Sequence, residues 1–139
     1  MSESKKISKA TRKKPAPEIA EAEWIIMKVV WEHEPCAAGT VQEELADSKG
    51  WAYATVKTTM DRMARKGFLK VDRIRNLQLF SSCITPVDAK RLEFRKMLKR
   101  AFDGALTPMM QFLIEHEGLS TKQAGQLRKL IGKAKNKKS

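Results

Sequence analysis

The chain has 139 residues, of which 42% are hydrophobic and 32% charged, and its formal net charge is +12. This length accommodates one or two small domains with a buried core. There is no apolar run of about 18 residues and no apolar stretch behind the basic N-terminus, so we predict neither a transmembrane helix nor a secretory signal. Two cysteines, Cys36 and Cys83, are too few for a disulfide framework, and we expect a cytoplasmic protein.

The positive charge is unevenly distributed along the chain. Residues 1–17 contain six Lys/Arg and one Glu, and residues 128–139 contain six Lys/Arg and no acid. Between them, residues 18–50 have two Lys against eight acids, whereas residues 51–84 have seven Lys/Arg against two acids. A basic segment beside an acidic one favours a polyanionic partner on one side of the protein. We predict disordered tails at 1–17 and 134–139, serving either solubility or salt-sensitive attraction to DNA.

Two helices are predicted near the start of the folded region. Residues 20–33 carry apolar side chains over so broad an arc that the helix should be buried on more than one side. Cys36 is expected in a short extended connector. A shorter helix then covers residues 39–48, with Val41 and Leu45 as its apolar anchors. Two helices that precede a third across a short turn are typical of a helix-turn-helix unit.

The third helix, Ala52–Gly67, carries the main functional signal. Val56, Met60 and Met63 recur at helical spacing and form one apolar stripe, and Gly67 stands where a left-handed C-terminal cap belongs. The alternative is an ordinary surface helix with a solvated face. Hydrogen-bonding side chains fall outside the stripe, and in a major groove they could reach base edges and phosphates: Thr55, Thr58, Thr59, Arg62 and Lys66.

A β-hairpin is predicted after Gly67. Residues 68–74 and 77–84 alternate in part and flank a polar two-residue break, in which Asn76 tolerates a positive φ although the Asn-Gly signature is missing. Its tip carries Arg73 and Arg75, which would lie along phosphates or in the minor groove. Three helices and a basic hairpin describe a winged helix-turn-helix domain, here placed at residues 18–84. The alternative is a small α+β domain whose hairpin has no binding role.

Residues 85–133 are predicted to form a helical dimerisation region. Thr85, Thr107 and Ser120 each begin a helix, the last as a Ser-x-x-Gln capping box with Gln123. These helices show more apolar surface than they can hide among themselves, which favours a homodimer over the alternative of folding back onto the winged domain. The expected dimer contacts are Leu98, Phe102, Met109, Met110, Phe112, Leu113, Leu127, Leu130 and Ile131.

The sequence shows no pattern that indicates catalysis or metal binding. His33 and His116 are single and far apart, and neither has a metal-ligand partner at the usual spacing. Cys36 and Cys83 are interpreted as two buried thiols, with a redox pair as the alternative. No catalytic triad, glycine-rich phosphate loop or carboxylate pair is present. We therefore predict a protein that is not an enzyme and that has no cofactor and no metal.

The chain resembles the penicillinase repressor family, of the BlaI/MecI/CopY type, over about residues 19–133. The stretches that carry the resemblance are Ala22–Trp31, Ala54–Met63, Lys66–Leu69, Gly118–Ser120 and Leu127–Leu130. The resemblance implies a dimeric winged-helix repressor. It also implies that Thr55, Lys57 and Thr58 contact DNA, with Ala54 at a position often held by a polar residue, a departure that bears on base preference.

The resemblance also raises the question of how repression ends. In the penicillinase branch, a membrane sensor-protease pathway cuts the dimerisation half, and the matching bond here is Gln111–Phe112. Gln111 departs from the asparagine of some members, so proteolytic derepression is one option. The copper-responsive branch carries a C-terminal cysteine cluster. This chain ends in lysines without cysteine, which argues against copper sensing of that kind.

These observations predict a mostly α-helical fold with a small β-hairpin, in which a winged helix-turn-helix domain precedes a helical dimerisation region. The leading hypothesis is a homodimeric, sequence-specific repressor on a pseudo-palindromic operator in double-stranded DNA. An RNA- or ribosome-associated basic protein and a protein-binding module are the alternatives. The residues predicted to contact DNA are Tyr53, Ala54, Thr55, Lys57, Thr58, Arg62, Lys66, Arg73, Arg75 and Asn76.

Overall fold

The computed structural model describes residues 18–138, with side chains to residue 134. The tail predicted at residues 1–17 therefore lies outside the described residues. Of the tail predicted to be disordered at 134–139, residues 134–138 are instead helical, and residue 139 lies outside the described residues. The chain divides into two compact units, one ending at Glu93 and the other beginning at Phe94. The elements, in chain order, are α1 Glu21–His33, α2 Ala38–Lys49, α3 Tyr53–Arg65, β1 Leu69–Ile74, β2 Leu77–Ser82, α4 Pro86–Phe102, α5 Leu106–Phe112, a π-helical turn Leu113–Glu117 and α6 Thr121–Lys138.

The first unit folds around one hydrophobic core, to which the three helices and the hairpin each contribute. The broad apolar arc of α1 is confirmed, since it buries side chains on adjacent faces. The side chains with no exposed surface include Ile26, Met27, Val30, Val41, Val56, Met60, Met63 and Phe80. Each fully buried apolar side chain contributes about 1.5–3 kcal/mol of transfer free energy, so these core residues dominate the stability of the unit.

The end of α3 shows the cap that the sequence predicts. Gly67 has φ 91°, a value that only glycine adopts at low cost. The amide of Phe68 donates to the carbonyl of Met63 at 3.0 Å, and the amide of Gly67 donates to that of Ala64 at 3.1 Å. These are the two hydrogen bonds of a Schellman motif. The cap ends the helix and turns the chain directly into β1, with the Phe68 side chain buried.

The hairpin is antiparallel and closes through a two-residue turn. Leu69 pairs with Ser82 and Ile74 with Leu77, so that Arg75 and Asn76 form the turn. The positive φ of this turn falls on Arg75, at 59°. Asn76 tolerates such a conformation, but the turn type places it at the first of the two turn residues.

A short bridge ties the hairpin to the connector between α1 and α2. Cys36 and Phe80 exchange backbone hydrogen bonds of 3.0 and 2.7 Å. The extended conformation expected at Cys36 is thereby confirmed, and burial raises the pKa of its thiol. Cys83, expected to be buried, is exposed because it follows the last paired residue of β2; both thiols are free. Three helices with this hairpin form a winged helix-turn-helix fold.

The second unit has helices but no buried residue among the side chains described from 94 to 134. Among its described residues, ring contacts join Phe102 to Phe112, at 5.7 Å, and Phe112 to His116, at 4.8 Å. The capping box that opens α6 is confirmed: the Gln123 amide donates to Ser120 Oγ at 3.0 Å, and the Ser120 amide donates to Gln123 Oε1 at 3.1 Å. The start predicted at Thr107 is wrong, because α5 begins at Leu106 and has no side-chain cap.

Candidate nucleic-acid interface

The turn between α2 and α3 sets the angle of the helix-turn-helix. Gly50 ends α2 with φ 65°, and its amide donates to the carbonyl of Ala46 at 2.9 Å. The Gln42 side chain then donates from Nε2 to the carbonyl of Trp51 at 3.2 Å, which holds the turn against α2. α3 begins at Tyr53 and packs on both α1 and α2. The recognition helix, which we define as α3, is therefore anchored along its inner side.

The two sides of the recognition helix differ sharply in exposure. Val56, Met60 and Met63 have no exposed surface and insert into the core, as their spacing predicts. Tyr53, which begins the helix, is half exposed. Ala54 and Thr58 face away from the buried stripe, as helical geometry requires. The residues exposed across the first turns are Tyr53, Ala54, Thr55 and Thr58, with Lys57 partly exposed.

Thr59 does not belong to that face, contrary to the sequence interpretation. Thr59 is only 7% exposed, and its Oγ1 donates to the carbonyl of Thr55 at 2.8 Å. Thr59 lies three residues after Val56 and four before Met63, so helical geometry places it on the buried stripe. Its hydroxyl is satisfied by the preceding turn of the helix, and it is not available to read a base.

Lys57 lies beside an acid on its own helix. Its Nζ donates to Oδ1 and Oδ2 of Asp61 at 3.0 and 2.9 Å. The side chains of Lys57 and Asp61 are 26% and 38% exposed, so both side chains of this ion pair are accessible to solvent. An i,i+4 pair of this kind contributes only about 0.3–0.5 kcal/mol. The ammonium can therefore exchange Asp61 for another acceptor at small cost.

Arg62 and Lys66, both predicted to contact phosphate, converge on the buried carboxylate of Glu23. Lys66 Nζ lies 2.7 Å from Oε1 and Arg62 Nε lies 3.3 Å from Oε2. The amide of Ala20 also donates to Oε1, at 2.9 Å. Burial raises the pKa of Glu23, but the hydrogen bonds from Lys66, Ala20 and Arg62 outweigh it, so the pKa lies below its usual value. The carboxylate is thus ionised at neutral pH.

Glu23 was not among the residues predicted to belong to the site. Its position nevertheless carries a signal: Glu23 precedes Ile26, Met27 and Val30 by three, four and seven residues, which puts it on the apolar stripe of α1. A carboxylate on a buried stripe requires a basic partner. The sequence pattern could not identify the basic partners of Glu23, because Arg62 and Lys66 are about forty positions away.

The wing presents a basic, partly apolar tip. Arg73, Arg75 and Asn76 are all exposed, as the hairpin prediction required. Ile74 and Leu77, which pair across the turn, are 57% and 50% exposed. Guanidinium groups on a short apolar ribbon suit the phosphates and sugar edges of a nucleic-acid groove. The structure thus brings the predicted wing residues together at one tip.

Other kinds of site have no support in the part of the chain that the structure describes. From residue 18 to 138, no three His, Cys, Asp or Glu side chains group closely enough to hold a metal ion. Over the same range, none of the helices has the length and apolar character needed to cross a membrane.

The family model described as "Penicillinase repressor" matches residues 19–133. The chain belongs to the penicillinase repressor family. It is 27% identical to the Bacillus licheniformis penicillinase repressor over 90% of this chain and 98% of that protein. It is also 27% identical to the methicillin resistance regulatory protein MecI of Staphylococcus aureus, over 84% of this chain and 94% of that one.

Solved structures of a relative align with part of the chain. The DNA-binding domain of the repressor BlaI, in solution, covers 54% of this chain and 92% of its own, with 29% identity and a TM-score of 0.48. The monomeric form of Bacillus licheniformis BlaI in complex with the blaP half-operator covers 53% and 90%, with 28% identity and a TM-score of 0.46.

Proposed function

We propose that this protein is a sequence-specific transcriptional repressor that binds a pseudo-palindromic operator in double-stranded DNA as a homodimer. The observation that carries the proposal is the solvent-facing side of the recognition helix, where Thr58 lies opposite a fully buried stripe and is flanked by Thr55 on one side and Lys57 on the other. A helix anchored on one side and polar on the other fits the major groove. Relatives named as repressors support the regulatory role.

Different side chains take different parts of the DNA. Thr55, Lys57 and Thr58 would read base edges, since hydroxyl and ammonium groups donate to the acceptors of the major groove. Their neighbours Tyr53 and Ala54, at the start of α3, would meet the sugar-phosphate backbone and the base methyl groups. The phosphate contacts would come from the exposed end of the recognition helix and from the wing, through Arg62, Arg73, Arg75 and Asn76.

The homodimer is proposed from the second unit. No side chain described from 94 to 134 is buried, yet large apolar residues are widely exposed. Helices with this much uncovered apolar surface gain stability by packing against a second copy. Of the nine residues predicted to form the interface, Phe112, Leu130 and Ile131 are 46%, 60% and 57% exposed and the other six are partly exposed. Two winged units related by a two-fold axis would then address two half-sites.

Proteolytic release of the operator is a further prediction about the same region. The Gln111–Phe112 bond closes α5, immediately before the π-helical turn, and both residues are exposed. A protease binds its substrate as an extended strand, so cleavage here requires this short helix to unfold locally. Identification of fragments after incubation with the responsible protease would test the bond, and a cut elsewhere would refute it.

The proposed function is tested by selecting duplexes from a random DNA pool with the full-length protein. We expect enrichment of a two-fold symmetric sequence with half-sites about one helical turn apart, or a multiple of it. Failure to enrich any sequence would contradict the proposal. Equal or tighter binding of structured RNA would favour the RNA-associated alternative. Duplex binding no better than heparin binding would favour a protein-binding module.

A further inference from the structure

We propose that Glu23 is a positioning residue for DNA binding, which aims Arg62 at a phosphate and keeps Lys66 away from one. This inference rests on the proposed function, because it concerns how the recognition helix meets DNA. Arg62 and Lys66 look equivalent in the sequence, because they are four residues apart on the same side of α3 and its cap. In this proposal Arg62 contacts DNA, whereas Lys66 stabilises the fold.

The geometry at Arg62 leaves its outer nitrogens available. Only Nε donates to Glu23, at 3.3 Å, and this is the one hydrogen bond of the side chain within residues 18–138. A guanidinium has five N–H donors, so about four remain, all on the two terminal nitrogens. The side chain is 48% exposed. A planar group held at its inner nitrogen presents its outer edge in a fixed direction, which suits a phosphate.

The geometry at Lys66 is different. Its ammonium lies 2.7 Å from Glu23 Oε1 and 2.6 Å from the carbonyl of Glu18, and 5.5 Å from the centre of the Phe68 ring. An ammonium has three donors, and two of them are used on atoms of the protein. The side chain is 29% exposed, less than that of Arg62. Lys66 therefore joins the start of α1, the end of α3 and the entry to the wing.

Glu23 couples these two roles because it is buried and ionised. Its side chain is 1% exposed, so it cannot exchange its partners for water. A buried carboxylate that loses its bases is strongly destabilising, which holds both cations in place. As a result, the direction of Arg62 depends on a residue of α1 that does not itself face outward.

The test measures how DNA affinity depends on salt, using the full-length protein and a duplex obtained by selection from a random pool. Each phosphate contact contributes close to one unit to the slope of log affinity against log salt concentration. We expect Arg62→Gln to lower the slope by about one and to lower the melting temperature less than Lys66→Gln does, because Lys66 and the Ala20 amide still bind the carboxylate of Glu23. Lys66→Gln should lower the melting temperature clearly and leave the slope unchanged.

The role of Glu23 is tested by combining substitutions. Glu23→Gln keeps the shape of the side chain but removes its charge, so the slope should fall toward that of Arg62→Gln, and the double variant should show no further fall. Arg65→Gln is the matched control, since Arg65 is exposed on the same turn of the helix and makes no contact with Glu23. Its effect on the slope should add to that of Glu23→Gln.

The outcomes separate this inference from the proposed function. If the wild-type protein discriminates the selected duplex but Lys66→Gln lowers the slope as much as Arg62→Gln, the division of roles is wrong. If Glu23→Gln and Arg62→Gln are additive, Glu23 does not act through Arg62. The first comparison stands even if Glu23→Gln does not fold. If the wild-type protein shows no preference among duplexes, the proposed function and this inference both fail.

Discussion

The two units of this chain contrast in how they obtain stability. The first buries side chains from three helices and a hairpin in one core, with residues such as Met60 and Phe80 fully enclosed. The second, from Phe94 onward, has helices, one of them with a capping box, and no buried side chain among those described. Helix formation and the burial of a core are therefore separate properties of a sequence.

The largest expected effect concerns the core of the first unit. Phe80→Ala removes a fully buried ring that also anchors the bridge to Cys36, and it should cost about 3–5 kcal/mol of unfolding free energy. Equilibrium unfolding in urea measures the loss. As a control, Leu77→Ala alters an exposed residue of the same strand and should change stability by less than about 1 kcal/mol. Equal losses would contradict the assignment of the core.

The second prediction concerns the apolar surface of the second unit. Leu130→Asp with Ile131→Asp places two carboxylates on α6, and we expect dimer dissociation to rise by at least tenfold, since each buried unpaired charge is costly. Sedimentation velocity would measure it. Lys129→Asp, an exposed neighbour, is the control for the added charge. A dimer that tolerates both apolar substitutions would place the interface elsewhere.

The third prediction concerns pH and tests how Glu23 holds the first unit together. Its folded-state pKa lies below the usual 4.5. The unfolded chain therefore binds the proton more readily, so the ionised carboxylate stabilises the fold above that value, and its contribution is lost as the pH falls through the folded pKa. The difference in unfolding free energy between wild type and Glu23→Gln should persist at neutral pH and shrink in acid. A difference that grows in acid would contradict this account.

The smallest expected effect concerns Asp61 on the recognition helix. Asp61→Asn removes an acid near the proposed DNA face and releases Lys57 from its pair, so affinity for non-specific duplex should rise about two- to fivefold. Filter binding would measure it. Asp88→Asn, which alters another exposed acid paired with a base, Arg91, is the control and should change little. Reduced affinity for non-specific duplex would mean that Asp61 supports the contact.

Much of the fold could be predicted because its signals are local. The stripe of Val56, Met60 and Met63, the glycine cap at Gly67 and the capping box at Ser120 each depend on residues within one or two turns. Thr59 was also within reach of this reasoning, since its spacing puts it on the buried side. It was misplaced because residue type was given more weight than position.

The remaining features depend on tertiary contacts that no local pattern encodes. The positive φ of Arg75 depends on the type of turn that joins the two strands, and the exposure of Cys83 follows from where pairing ends. The partners of Glu23 come from a helix about forty residues away. Arg62 and Lys66 carry the same charge in the sequence, but the fold gives their side chains different exposure and different partners. Sequence reasoning placed this helix in the chain, and the structure distinguishes the surroundings of its side chains.

The most direct test of the central claim is a competition experiment with Lys57→Ala combined with Thr58→Ala. Lys28→Ala, which alters an exposed lysine on α1, is the control. We expect the ratio of affinities for the selected duplex and a scrambled one to fall toward one, while weak general binding persists because the phosphate contacts remain. An unchanged ratio would show that the outward face of the recognition helix does not read the DNA sequence.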